Sequence, residues 1–233
     1  MSLDQNAASR GSEVSHRETS RWTASPSTAT SPLDWRELSI RALDVTLTSI
    51  ALFLLLPVFL LIAIMIRLDS KGPVLFIQKR VGRGGRLFSC YKFRSMRTDA
   101  EALRINLEAK NERSGPVFKM RNDPRITRVG KFLRRSSLDE LPQLLNIMFG
   151  DMSLVGPRPA IPTEVAQYTA RQLERLAVPP GLTGLWQVSG RASLSFERMI
   201  ELDLCYVDER SVWTNIRIIA LTIPAVVTGR GAY

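Results

Sequence analysis

The chain has 233 residues, with 32 Lys and Arg against 22 Asp and Glu, and carries a formal charge of +10 at pH 7. That length suits one domain with appendages, and the charge calls for an anionic partner: nucleic acid, an anionic membrane surface or a phosphorylated substrate. The single histidine, His16, lies in a polar N-terminal stretch. This argues against a histidine general base or a His-rich metal site, and leaves acid–base and nucleophilic work to carboxylates, hydroxyls or thiols.

Residues 1–31 are rich in Ser, Thr, Ala and Arg without apolar periodicity, and read as a disordered tail. Asp4, Glu13 and Glu18 argue against an acid-poor presequence. Residues 45–66 (VTLTSIALFLLLPVFLLIAIMI) hold no charge. In helix they would measure about 33 Å, enough to cross a hydrocarbon core. A buried core helix is the other reading, but so long an unbroken run favours a membrane segment. Pro57, near its middle, removes one backbone hydrogen bond and favours a kink. Arg36 and Arg41 precede the run, and Arg67 and Lys71 follow it. Flanking charge therefore does not separate a simple span from a bent, re-entrant helix with both ends on the cytoplasmic face. The basic region downstream favours a cytoplasmic globular part.

Val74-Leu75-Phe76-Ile77 and Leu87-Phe88-Ser89-Cys90-Tyr91 flank Gly82-Arg83-Gly84-Gly85, the pattern of a hairpin. Residues 71–97 carry eight cations and no acid. They suit a solvated strand face and lipid head groups equally well, with Lys92 and Arg94 the better candidates for an active site. Residues 99–113 read as an exposed charged helix and Asn122-Asp123-Pro124-Arg125 as a turn. Cys90 and Cys205, far apart and among apolar neighbours, read as buried thiols and not as a disulfide.

The chemistry concentrates in residues 131–143 (KFLRRSSLDELPQ), where Asp139 and Glu140 follow three cations and precede an apolar run. Ser137 and Glu140 have the S-x-x-E spacing of a capping box, which would set both acids in a first helical turn and keep them ionised. Pro142 prefers the first helical position, so a helix starting a few residues later is the alternative. Acids so placed ordinarily cap; their surroundings shift the balance towards chemistry. In the loop 150–159 (GDMSLVGPRP) two prolines hold Arg158 in extended chain. A helix over 163–177, a Pro- and Gly-rich turn over 179–184, a helix over 196–207 and an apolar interfacial or core segment over 212–227 complete the chain. Guanidinium forks bind phosphate, one carboxylate can attack phosphorus and a second can hold Mg²⁺. Beside an apolar anchor, that combination points to phosphoryl transfer on a diphosphate at a membrane surface.

Six segments resemble, in order, the bacterial sugar transferases, monotopic polyprenyl-phosphate hexose-1-phosphate transferases that begin exopolysaccharide, O-antigen or glycan assembly. They are Lys92-Phe93-Arg94-Ser95-Met96, residues 122–127 (NDPRIT), residues 133–143, the loop 150–159, residues 180–191 (PGLTGLWQVSGR) and Gly229-Arg230-Gly231-Ala232-Tyr233. The resemblance covers residues 36–233. The elements and the resemblance together give an α+β fold: a membrane-anchored, mostly helical globular domain with a small β-hairpin, an N-terminal re-entrant membrane helix and interfacial helices. Its parts would be a tail (1–31), an anchoring helix (32–69) and a cytoplasmic catalytic domain (70–233).

The resemblance implies that Asp139 is the nucleophile on a nucleoside diphosphate sugar, most simply UDP-galactose or UDP-glucose. It would carry the sugar phosphate covalently and pass it to polyprenol phosphate. Glu140 would bind Mg²⁺, Lys92, Arg134 and Arg158 would belong to the active-site region, and Arg191 to the nucleotide-sugar region. In the family the membrane helix is re-entrant and broken at a Ser-Pro pair; Leu56-Pro57 stands there in this chain. Larger members carry extra membrane spans ahead of this region, and this chain resembles the short, catalytic-core form. The location implied is the bacterial inner membrane, catalytic part towards the cytoplasm, with its lipids and other polysaccharide-assembly proteins as partners and no nucleic acid. Two other readings stand beside it: a membrane phosphatase or pyrophosphatase with water as acceptor, and an anchored basic module binding anionic lipid or nucleic acid.

Overall fold

The computed structural model describes residues 34–100, 102–103, 120, 123–190 and 194–227. The tail expected over 1–31, most of the helix expected over 99–113, and Arg191 lie outside these residues. Helices are α1 (Trp35–Asp69), α2 (Arg128–Arg135), α3 (Gln143–Phe149), α4 (Pro162–Val165), α5 (Ala170–Leu173), α6 (Leu185–Ser189), α7 (Phe196–Glu209) and α8 (Val212–Val227). Strands are β1 (Leu75–Val81), β2 (Leu87–Phe93), β3 (Ser153–Val155) and β4 (Gly181–Thr183), and 3-10 turns lie at Arg83–Gly85, Leu138–Glu140 and Glu174–Ala177.

The apolar segment is one continuous helix, and the break expected at Pro57 is absent: α1 runs through it. Its inward stripe continues past that residue. Ile40, Asp44, Thr48, Ile62 and Ile66 are buried at helical spacing, with Ala51, Leu52, Leu55, Val58 and Phe59 partly buried between them. Buried or partly buried residues therefore lie on both sides of Pro57, where one backbone hydrogen bond is missing. The N-terminal third is tied down by polar groups. Glu37 pairs with Arg210, Arg41 donates to the Ile147 and Met148 carbonyls at the C-terminus of α3, and Asp44 accepts from Ser153 Oγ (2.7 Å) and Leu154 N (3.0 Å). At the other end, Asp69 accepts from Val129 N at the positive start of α2. The opposite face leaves Phe53, Leu54, Leu56, Leu60, Leu61 and Ile64 exposed.

β1 and β2 form the expected antiparallel hairpin, from Leu75 opposite Phe93 to Val81 opposite Leu87. Gly84 (φ 63°) and Gly85 (φ 83°) supply the positive φ of its turn. Phe88 and Cys90 pack with Leu144, Ile147 and Met152 against the middle of α1, and Phe93 packs with Leu133, Ile62 and Ile66 against its end. Three expectations need correction. First, β3 and β4 pair in parallel, Ser153 with Gly181 and Val155 with Thr183, where the sequence reads as loop and turn; strands of three residues are too short to show alternation. Second, the helix expected over 163–177 is split. Thr169 takes an extended backbone and caps α5 in a capping box with Gln172, which stops any helix coming from α4. Third, Cys205 is exposed, because the inward stripe of α7 falls on Met199, Ile200, Asp203 and Tyr206.

Candidate active site

The site forms where the end of β2 meets the turn between α2 and α3. Alternate residues of β2 face the core. Cys90 is sealed inside, and two residues on Lys92 emerges at the rim with Nζ 2.6 Å from Glu140 Oε1. Asn146, fully buried on α3, fixes that pairing. Its Nδ2 donates to Ser89 O (2.7 Å) and its Oδ1 accepts from Tyr91 N (3.0 Å), so an amide satisfies the free edge of β2 and locks the helix to the strand. On the other side, Thr127 caps α2 by accepting from Gly130 N (2.9 Å), and Arg134 Nε donates to Ser95 Oγ (2.9 Å).

The Ser137–Glu140 capping box is not formed. Ser137 sits at φ 58°, left-handed, and makes no side-chain cap. A serine there costs about 1–2 kcal/mol, a local strain beside the two acids. Asp139 and Glu140 lie in the 3-10 turn, and α3 starts only at Gln143, after Pro142. The helix terminus therefore does not keep Asp139 ionised as the spacing suggests. Burial, and then the adjacent Glu140 carboxylate, push the Asp139 carboxyl up to about 6 against the pull of Lys92 and Arg134. Burial also acts to raise Glu140, but Lys92 above all, with Arg158 and Arg80, outweighs it and holds Glu140 below the usual range. Adjacent acids with opposite displacements are the pattern of a divided task.

Lys92, Arg134, Asp139, Glu140 and Arg158 thus come together as the sequence leads one to expect. Arg94 does not join them: it turns to the end of α1, where its Nη2 donates to Ser70 O (2.7 Å) and Oγ (3.0 Å). Arg191 lies outside the described residues. Sequence reasoning passed over Asn146, and left Arg80 undistinguished among eight cations. The signal for Arg80 was strand register. Gln78 and Arg80 stand opposite Cys90 and Phe88, so they share the inward face of the hairpin.

Among the described residues, no group of three or more His, Cys, Asp or Glu side chains could hold a metal ion. Mg²⁺ commonly takes one or two carboxylates and completes its shell with substrate phosphate and water. The Asp139–Glu140 pair fits such a site, since Lys92 engages only Oε1 of Glu140.

A carboxylate pair ringed by lysine and arginine, beside a long apolar helix, defines a site for phosphoryl chemistry. Residues 35–229 match the bacterial sugar transferase family, and the chain belongs to it. It is 48% identical to the galactosyl transferase CpsE of Streptococcus agalactiae, over 82% of this chain and 43% of that protein. It is 43% identical to the exopolysaccharide production protein ExoY of Rhizobium meliloti, over 83% of this chain and 87% of that one. Identity to the undecaprenyl-phosphate galactose phosphotransferase of Salmonella typhimurium is 40%, over 83% and 41%. The chain thus spans less than half the length of two of these relatives and most of the third.

Proposed function

We propose that the protein transfers hexose 1-phosphate from a nucleoside diphosphate sugar to undecaprenyl phosphate, opening the synthesis of an exopolysaccharide or related glycan. The observation that carries this reading is the buried Asp139 beside the Lys92–Glu140 pair, with Arg134 in the field of Asp139 and Arg158 in that of Glu140. An Asp139 carboxylate oxygen attacks the sugar-bearing phosphorus, a phosphorus–oxygen bond forms, and the bond to the nucleoside monophosphate breaks, that product leaving with the electron pair. A phosphate oxygen of the lipid then attacks the same phosphorus and frees the Asp139 carboxylate. The lipid phosphate is already an anion at neutral pH, so neither step needs a histidine base. Lys92 holds Glu140 ionised, and Arg134 and Arg158 offer forks to the diphosphate. Mg²⁺, held by Glu140 with help from Asp139, would supply neutralisation of the diphosphate charge. Galactose and glucose are the sugars of choice, from uridine diphosphate donors, in line with the galactose named for two of the relatives.

Membranes containing the protein, given a panel of nucleotide sugars with undecaprenyl phosphate, should release one nucleoside monophosphate for each lipid-linked sugar made. EDTA should abolish the reaction and Mg²⁺ restore it. Free sugar phosphate in place of the lipid product would favour the hydrolase reading, and full activity in EDTA would remove the metal.

The same reading places α1 in the cytoplasmic leaflet of the inner membrane without crossing it. What supports this is that Glu37, Arg41 and Asp44 near one end, and Ile66 and Asp69 at the other, contact one and the same compact unit. A helix crossing the bilayer would carry its first turns away from that body. The exposed apolar face would meet lipid, and α8, with Trp213, Leu221 and Ile223 exposed, would lie at the interface. In a variant lacking Cys90 and Cys205, Ser39→Cys and Ser70→Cys should both resist an impermeant thiol reagent in intact cells and react once the cells are opened. Labelling of Ser39→Cys from outside would establish a crossing helix.

A further inference from the structure

Residues 157–160, Pro-Arg-Pro-Ala, link β3 to α4, and all four of their carbonyls are held. Pro157 O accepts from Gly181 N (2.9 Å), Arg158 O from Arg175 (3.2 Å), Pro159 O from Arg80 (2.9 Å) and Ala160 O from Val81 N (2.9 Å). Two of these donors are strand N–H groups. The other two are guanidinium groups only 7% and 6% exposed. Burying a cation is an expensive way to satisfy a carbonyl, and it persists only where each cation has further partners. Here each does: Arg80 Nη2 donates to Gln78 Oε1 (2.6 Å), and Arg175 pairs with Asp203 and donates to Tyr168 Oη (2.8 Å). Burial, then the charge of Arg158, pushes Arg80 down to about 10, so it remains a cation at neutral pH. The guanidinium of Arg158 itself makes no hydrogen bond or ion pair among the described residues. The backbone is fixed on every side while the side chain stays available.

We propose that Arg80, backed by Gln78, and Arg175, backed by Asp203, are positioning residues that set the Arg158 guanidinium against the donor diphosphate. This rests on the reading of Arg158 as a phosphate-binding residue. Two prolines restrict φ and four held carbonyls restrict ψ, so the loop loses little further freedom when the diphosphate arrives. The fork can then act at full strength only while both braces hold, because an ångström of misplacement at such a contact costs a large factor in rate.

The test is a double-mutant cycle on kcat/KM for transfer from UDP-glucose or UDP-galactose, whichever is turned over, to undecaprenyl phosphate, using the full chain in membranes. Arg158→Lys alone should lose on the order of 30-fold and Arg80→Lys alone roughly tenfold, the range for groups that orient a contact residue. Arg158→Lys placed on Arg80→Lys should cost only about threefold more, since a displaced fork has little left to lose. A merely structural role would lower the amount of folded enzyme, and the two losses would then multiply. Full multiplication overturns the proposal while leaving Arg158 in the donor site. An Arg158→Lys enzyme as active as the parent overturns both. Should Arg80→Lys not fold, Gln78→Leu keeps the cation and removes its brace; the same sub-multiplicative result is expected, and multiplication there is equally fatal.

Discussion

Asp139→Asn is expected to remove turnover and covalent labelling together, by on the order of 10⁴-fold or more, as loss of a nucleophile does. With donor and no lipid acceptor, the parent chain should release at most one nucleoside monophosphate per site. It should also keep labelled sugar phosphate through denaturation, in a bond that hydroxylamine cleaves. The variant should do neither, whereas Glu140→Gln should weaken both. Two further measurements separate a nucleophile from a structural acid. The reactive form is the carboxylate, and Asp139 is held near 6 by burial and by Glu140. Adduct formation should therefore fall about tenfold per pH unit below 6, where the proton stays on. The second is stability. A carboxyl whose folded value lies above its unfolded one binds more protons folded than unfolded between about pH 4 and 6, so its contribution is lost as pH rises through that window. Once ionised, it opposes folding by roughly 2–3 kcal/mol. The neutral amide should accordingly leave the unfolding midpoint at pH 7 unchanged or raised. An Asp139→Asn chain that still turns over, or no adduct alongside a kinetically required ternary complex, would assign the reaction to direct transfer.

That Asp139 and Glu140 stand at the site was legible from their position between cations and an apolar run; why they differ was not. S-x-x-E spacing reads as a helix cap and Pro142 as a sign of a later start; the left-handed Ser137 and a helix beginning at Gln143 bear out the second. Lys92 was legible as a cation directly after the apolar run Leu87–Tyr91 and lies one residue before the end of β2, and Arg94 was misjudged because the strand stops at Phe93 and its side chain turns to Ser70. Asn146 hides for a different reason. An amide in an apolar run reads as a flaw until β2 is found to need its two hydrogen bonds. Long elements, α1 and α8 above all, can be read from hydrophobic runs, whereas β3 and β4 exist through pairing across 28 residues of sequence (153 to 181), which no local pattern records. Pro57 shows the limit of local rules from the other side. It removes one hydrogen bond, yet the helix continues through it to Asp69, with packed residues on both flanks.

Gly130→Ala should destabilise the fold although the same change in an ordinary helix gains about 1 kcal/mol. Gly130 lies inside α2, and a Cβ there would come within 1.9 Å of Ser95 O, with Ser95 C and Cα at 2.6 and 2.8 Å. All three are backbone atoms, so no side-chain rotation relieves the contact. Nor can Ser95 retreat without loss. Its carbonyl accepts from Thr127 N (3.1 Å), its hydroxyl accepts from Arg134 Nε (2.9 Å), and the next residues pair with the chain ahead of α2 through Met96 and Ile126. The clash and the lost hydrogen bonds together exceed the propensity gain, for a net cost of about 2–4 kcal/mol. At about 2–4 °C per kcal/mol for a chain of this size, the unfolding midpoint in detergent should drop by roughly 5–15 °C. The surviving folded protein should also lose kcat/KM, because α2 carries Arg134 to Ser95 and sets its distance from Asp139. An unfolding midpoint equal to the parent's would show that α2 and the end of β2 can separate freely. The close approach at Gly130 would then not be what holds Arg134 at the site.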